Sequence, residues 1–143
     1  MYKKKNNETN NIIIFGSSRG IGMQIASNLL KNNYNILISS GNKLNLENAF
    51  KKLKKQDSHK NNLQSFLLDF EDHNSIFKNL LPILKLNQVF SVLIFSSAVL
   101  GPSGCFSDIA ITDWKKTFNV NVFGPATIIQ FFLKYNLLEK NSK

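Results

Sequence analysis

The residues Gly16-Ser17-Ser18-Arg19-Gly20-Ile21-Gly22 follow an apolar run at 12–15 and precede a helical pattern. A buried strand that turns through glycines into a helix presents backbone N–H groups to a pyrophosphate. Gly16 allows a tight turn, Gly20 a close approach to phosphate, and Gly22 close packing of helix on strand. This context predicts a nucleotide-binding fold. The alternative is an ordinary glycine-rich turn.

Composition and length indicate one globular domain. The chain has 143 residues, with a hydrophobic fraction of 43% and 12 Phe, which suffices for a core. Cys105 is the single cysteine, so no disulfide forms within the chain, as suits a reducing compartment. Apolar runs such as 89–95 are too short to span a bilayer, and the run before Gly16 is too short for a signal peptide. We therefore expect a soluble, cytoplasmic protein without a membrane partner.

The formal net charge of +9 raises the question of a nucleic-acid partner. The densest basic group, at 51–55, lies on a predicted helix beside the apolar Phe50 and Leu53. Basic and aromatic residues do not alternate as they do in platforms on which bases stack. The pattern favours solvated helix faces over a nucleic-acid patch, and we predict no nucleic-acid partner.

Short apolar runs alternate with helical patterns after a polar lead-in at 1–10. The predicted strands are 12–15, 35–39, 63–69 and 89–96. Apolar residues at helical spacing are Ile21, Ile25 and Leu29 in the first helix, with Ala26 and Leu30 beside them, and Trp114, Phe118 and Val122 in the fourth. The last helix is predicted from about Pro125 to Leu138. This alternation predicts βαβ units, a parallel sheet and the α/β fold class.

Four segments together resemble one known family. The glycine turn is similar to T-G-x-x-x-G-I-G, with Phe15 in the place of Thr. Leu68-Asp69-Phe70 ends the third strand, and 93–102 reads L-I-F-S-S-A-V-L-G-P, similar to L-V-N-N-A-G-x-L-G-P. Residues 119–124, N-V-N-V-F-G, are similar to V-N-x-x-G. On these motifs the chain resembles the N-terminal half of a short-chain dehydrogenase/reductase.

The resemblance implies a Rossmann-type, doubly wound parallel sheet over residues 11–143. The expected strand order is 3-2-1-4, with the domain apparently truncated before a fifth strand. In that order the fourth strand lies at an edge of the sheet, where a long apolar strand promotes association.

The resemblance also implies a nicotinamide cofactor and assigns residues to its parts. The turn holds the pyrophosphate through Gly16, Ser17, Ser18, Arg19, Gly20, Ile21 and Gly22. Asp69, with Phe70, accepts from the adenine amino group, while the alternative role for Asp69 is a plain helix-cap acid. Ser97, Ala98 and Val99 line the ribose side.

Asn121 takes the position of the family's catalytic Asn, whose backbone carbonyl holds a proton-relay water. The alternatives for Asn121 are a helix N-cap and a buried amide. When residues 93–102 are aligned with the family motif without a gap, Phe95 and Ser96 occupy the positions of its two Asn residues, and Ala98 occupies the position of its Gly. If Ala98 is aligned with the Ala of the motif instead, the alignment shifts by one residue.

The choice of nicotinamide cofactor depends on charge near the adenosine ribose. NAD-specific sites place an acid about 20 residues past the glycine turn, yet 17–46 contains no acidic residue. Arg19 stands where NADP-using relatives of the family carry a basic residue, and guanidinium groups bind phosphate well. The second strand ends in Ser39-Ser40-Gly41-Asn42-Lys43, which leaves room for a phosphate and puts a cation nearby, although the family often has Arg where Gly41 stands. We predict NADP(H) over NAD(H).

The implied activity is hydride transfer between a nicotinamide and a small carbonyl or alcohol substrate, by an NAD(P)-dependent oxidoreductase that forms a homo-oligomer when complete. The family's reaction needs Tyr-x-x-x-Lys, in which Tyr is the general acid/base. None of the three tyrosines of this sequence has a Lys four residues later. The residue at that position is Asn after Tyr2, Ile after Tyr34 and Glu after Tyr135. We expect the chain alone to be inactive. The alternative function is a non-catalytic remnant that binds only nucleotide or a partner chain.

Overall fold

A computed structural model describes residues 10–57, 63–72, 75–140 and 142. Four parallel strands form its sheet, in the order β3-β2-β1-β4. They are β1 (Asn11–Phe15), β2 (Asn35–Ser40), β3 (Leu63–Leu67) and β4 (Val92–Phe95). The predicted fold class and strand order are confirmed. Most of the predicted polar lead-in, residues 1–9, lies outside the described residues.

Helices cover both faces of the sheet. They are α1 (Gly20–Lys31), α2 (Lys43–Lys54), α3 (Ile76–Leu84), α4 (Ile111–Phe118) and α5 (Gly124–Lys134). A π-helical turn, Asn119–Phe123, joins α4 to α5. In the described ranges no helix is long and apolar enough to cross a bilayer.

The sheet separates two cores because successive side chains of a strand point to opposite faces. Ile12 and Ile14 of β1 pack with α1 and α2, whereas Ile13 and Phe15 pack with α3 and α5. All five β1 residues are buried, as expected for a central strand covered on both faces.

The buried face of α1 differs from the predicted one. Ile21 is 76% exposed, and the buried line is Gly22, Ala26 and Leu30. A Cβ on Gly22 would lie 2.5 Å from the Gly16 carbonyl oxygen. The helix therefore turns its glycine toward β1, and this close contact sets the rotation of α1. The prediction that Ile21 belongs to the core is wrong.

The predicted face of the fourth helix is also wrong. Phe118 and Val122 are 46% and 47% exposed, whereas Val120 is buried in the core. No residue of α4 is buried, so this helix lies on the surface and its apolar spacing marks an exposed face. In the π-turn, whose turns contain more residues than an α-helical turn, Val120 rather than Val122 packs into the core.

The last helix is shorter than predicted, because α5 ends at Lys134 and Asn136 adopts a φ of 52°. Leu138 lies instead in a parallel bridge with Phe90. The Phe90 N–H donates to the Leu137 carbonyl at 2.8 Å, and the Glu139 N–H donates to the Phe90 carbonyl at 3.1 Å. The chain after α5 thus lies beside the beginning of β4. The strands β3 and β4 are also shorter than predicted.

Candidate functional site

A cavity of about 520 Å³ opens where the chain leaves the carboxyl ends of all four strands. Ligands of parallel α/β sheets bind at this edge, where loops from neighbouring strands separate. Its lining comprises Gly16, Ser18, Arg19, Gly20, Ile21, Ser40, Gly41, Asn42, Asn45, Leu68, Asp69, Phe70, Glu71, Ser96, Ser97, Ala98, Val99 and Val120. Sequence reasoning missed Asn45, Leu68, Glu71, Ser96 and Val120 as site residues, whereas Ser40, Gly41 and Asn42 belong to the segment 39–43, which is predicted to leave room for a phosphate. Position just after a strand was the signal for several of them.

The glycine turn forms one wall of the cavity. Gly16 and Gly20 have φ values of 79° and 57°, which side chains disfavour. A Cβ on Gly16 would lie 2.5 Å from the backbone nitrogen of Ser97, so this glycine lets the β1 and β4 loops touch. A Cβ on Gly20 would meet nothing within 4 Å, and Gly20 faces open space in the cavity.

The N-terminus of α1 lies at this wall. Its N-cap residue, Arg19, is extended and makes no side-chain cap, and the first turn carries no acidic residue. Uncapped N–H groups and the positive end of the helix dipole attract an anion. The Arg19 guanidinium is exposed and adds a full positive charge. This wall has the chemistry of a phosphate site.

Ser17 and Gly22, although part of the motif, lie behind the lining. The Ser17 hydroxyl donates to the Ile14 carbonyl at 2.9 Å and accepts the Ser39 N–H at 3.1 Å. Ser17 is fully buried and ties the end of β1 to β2. Gly22 is buried against the Gly16 carbonyl. Both residues shape the turn from below.

A serine pair lies between the glycine turn and the end of β2. The Ser18 and Ser40 hydroxyl oxygens are 3.0 Å apart, and Ser40 Oγ also accepts the Asn42 N–H at 3.2 Å. The two hydroxyl groups carry two hydrogens, and the hydrogen bond between them uses one. The other hydrogen remains available as a donor. Since both residues line the cavity, the pair offers a donor to a ligand.

Asp69 forms the opposite corner of the cavity. Its Oδ1 accepts the Glu71 N–H at 2.9 Å, which orients the carboxylate and leaves Oδ2 without a donor among the described residues. A Cβ on Gly41 would lie 3.1 Å from Asp69 Cγ. Gly41 therefore allows the ends of β2 and β3 to approach at this corner. Glu71 in turn pairs with Lys116 of α4 at 3.1 Å between exposed side chains.

Asn121 lies outside the lining but contacts it. Its Nδ2 donates to the Val99 carbonyl at 2.8 Å, and its Oδ1 accepts the Val99 N–H at 3.0 Å. Both backbone groups of one lining residue are thereby held by one side chain. Asn121 is exposed and lies within the π-turn, so neither alternative, a helix N-cap or a buried amide, applies.

The sequence model of the short chain dehydrogenases matches residues 10–143. The chain belongs to the short chain dehydrogenase family. Comparison with the curated proteins gives no match.

Solved structures similar to this family member include the following three proteins. MalC reductase/Diels-Alderase from Malbranchea aurantiaca is 20% identical, with a TM-score of 0.80 over 92% of this chain. RhlG of Pseudomonas aeruginosa, in an NADP active-site complex, is 20% identical, with a TM-score of 0.76 over 94%. ElxO with NADP bound is 26% identical, with a TM-score of 0.73 over 90%. The chain covers 52%, 50% and 50% of these proteins, about half their length.

Proposed function

We propose that this chain is the cofactor-binding part of an NAD(P)-dependent oxidoreductase that acts on a small carbonyl or alcohol substrate. The observation that carries the proposal is the cavity, which combines an uncapped helix N-terminus, a glycine open to the cavity and an oriented carboxylate. Family membership and the NADP bound to RhlG and ElxO support it.

In this proposal, different residues of the cavity bind different parts of the cofactor. The α1 N-terminus and Gly20 hold the pyrophosphate, because the helix has no side-chain cap and a Cβ on Gly20 would meet nothing within 4 Å. Asp69 accepts from the adenine amino group, beside Phe70. Ser97, Ala98 and Val99 form the ribose side, with Val99 held by Asn121. The bound nicotinamide supplies the hydride chemistry, and the protein orients the cofactor.

NADP(H) is the favoured cofactor in this proposal. Arg19 contributes the cation for a 2′-phosphate, and the Ser18–Ser40 pair contributes a hydroxyl donor. Gly41 stands where the family often carries Arg, and Arg19 is the basic residue among those that line the cavity.

Asn121 is proposed to support a proton relay through its backbone carbonyl. Its side chain is occupied by both backbone groups of Val99, so a water-holding role falls to the backbone. Because the sequence contains no Tyr-x-x-x-Lys, we expect cofactor binding without turnover from these 143 residues.

The test is a fluorescence or calorimetric titration of the 143-residue chain with NADPH, comparing Gly20→Ala with Gly104→Ala. Both glycines have positive φ, and a Cβ on either meets nothing within 4 Å, but Gly20 alone of the two lines the cavity. Both variants carry backbone strain. We expect Gly20→Ala to raise the Kd by about tenfold, or 1.4 kcal/mol, and Gly104→Ala to leave it unchanged.

Two results would contradict the proposal. One is the absence of saturable NADPH binding by the unaltered chain in its folded state. The other is an equal Kd for the two variants, which would place the phosphates away from the glycine turn.

A further inference from the structure

Phe15, the last residue of β1, is the central residue of an aromatic cluster beneath the cavity. Its ring stacks on Phe95 with centroids 4.9 Å apart and planes 13° apart. It also meets Phe66 and Phe132 edge-on at 6.1 and 6.4 Å, and Phe70 in a tilted contact at 6.1 Å. Phe15 is fully buried, and neither Phe15 nor Phe95 lines the cavity.

Three of the segments that line the cavity are adjacent in sequence to a ring of this cluster. Gly16 follows Phe15, Ser96 follows Phe95, and Asp69 precedes Phe70. The stacked pair is also linked through the backbone, because the Ser96 N–H donates to the Phe15 carbonyl at 2.8 Å. One residue further along, Gly16 and Ser97 make the close approach between the two loops.

We propose that Phe15 and Phe95 are positioning residues of the cofactor site, which set the spacing between the glycine turn and the Ser96–Val99 wall. The inference rests on the proposed cofactor binding. Stacked rings resist sliding because offset and edge contacts favour particular separations. An aliphatic side chain of similar volume fills the space without that constraint and lets the β4 loop shift against Gly16. A ligand that contacts both walls then loses affinity.

The experiment measures the Kd of NADPH and the melting temperature for Phe95→Leu, Phe95→Tyr and Phe90→Leu in the 143-residue chain. Phe90 is the matched control, because it is buried, precedes β4 and meets Phe132 edge-on at 5.6 Å, but lies away from the cavity. We expect about a tenfold higher Kd for Phe95→Leu, equivalent to 1.4 kcal/mol. Phe95→Tyr, which keeps the ring, and Phe90→Leu should both stay within about twofold of the original Kd, although Phe90→Leu lowers the melting temperature.

A Phe95→Leu protein that binds NADPH as tightly as the unaltered chain overturns the positioning role and leaves the proposed function standing. The same holds if Phe90→Leu weakens binding equally, because a general loss of stability then explains both. If the unaltered chain does not bind NADPH, both proposals are wrong. Should Phe95→Leu not fold, Phe95→Met gives the same comparison, since its flexible side chain fills irregular space.

Discussion

In the proposed site, Arg19 is the residue on which the choice between NADP(H) and NAD(H) depends. Its guanidinium is exposed at the mouth of the cavity, and no acid occurs from 17 to 46. We predict that Arg19→Ala weakens NADPH binding by about 1–3 kcal/mol, as for loss of a charged hydrogen-bond partner, and hardly affects NADH. Titration of both cofactors measures the difference.

Lys31→Ala is the matched control for this prediction. It removes an exposed cation from the other end of α1 and therefore keeps the change in net charge while sparing the cavity. Equal losses of NADPH and NADH affinity in Arg19→Ala would rule out the 2′-phosphate role. A loss in Lys31→Ala as large as in Arg19→Ala would point to a general charge effect.

At the scale of elements, the contact between α1 and the end of β1 depends on Gly22. A Cβ there would lie 2.5 Å from the Gly16 carbonyl oxygen and 3.0 Å from Ser96 Oγ. Although Ala is the better helix former, we predict that Gly22→Ala lowers the free energy of unfolding by about 1–3 kcal/mol through overpacking. Urea denaturation measures the change.

A substitution to Ala at an exposed position of α1 serves as the control. Gln24→Ala leaves the helix–strand contact intact and should change stability by less than about 0.5 kcal/mol. If Gly22→Ala were as stable as Gln24→Ala, the rotation of α1 would not depend on the close contact described above.

At the scale of the whole molecule, the exposed apolar surface predicts self-association. A groove of about 380 Å³ lies along α4 and the π-turn, lined by Phe106, Ile111, Trp114, Lys115, Phe118, Asn119 and Phe123. The strand β4 is one of the two outer strands of the described sheet and is only half-buried. Large apolar patches and free strand edges promote association. We expect the 143-residue chain to form oligomers or aggregates, as measured by size-exclusion chromatography with light scattering.

Phe118→Lys should shift this distribution toward monomer, because it places a charge in the groove without disturbing the core. Leu44→Lys, at an exposed position of α2, adds the same charge elsewhere and should have little effect. A monodisperse monomer with a sharp thermal transition for the unaltered chain would show that the apolar surface is tolerated in solution.

Local sequence determined the architecture of this protein. The apolar run before Gly16 and the alternation of strand and helix patterns predict the parallel sheet, because buried strands and amphipathic helices have different periods. The strand order followed from the resemblance to the short-chain dehydrogenases/reductases. The glycine turn was predictable as part of a nucleotide site from its place between a strand and a helix, whereas Asp69 and the segment around Ser97 became candidate site residues through that resemblance, and all three line the cavity.

Tertiary structure alone decided which way α1 and α4 face, and it decided the detailed walls of the cavity. The rotation of α1 depends on a contact between Gly22 and Gly16, and periodicity does not reveal that no residue of α4 is buried or that a π-turn follows it. Asn121 and Val99 meet across 22 residues of sequence. Such contacts depend on how neighbouring strands and helices pack, so their geometry is absent from any local pattern and arises only when the sheet assembles.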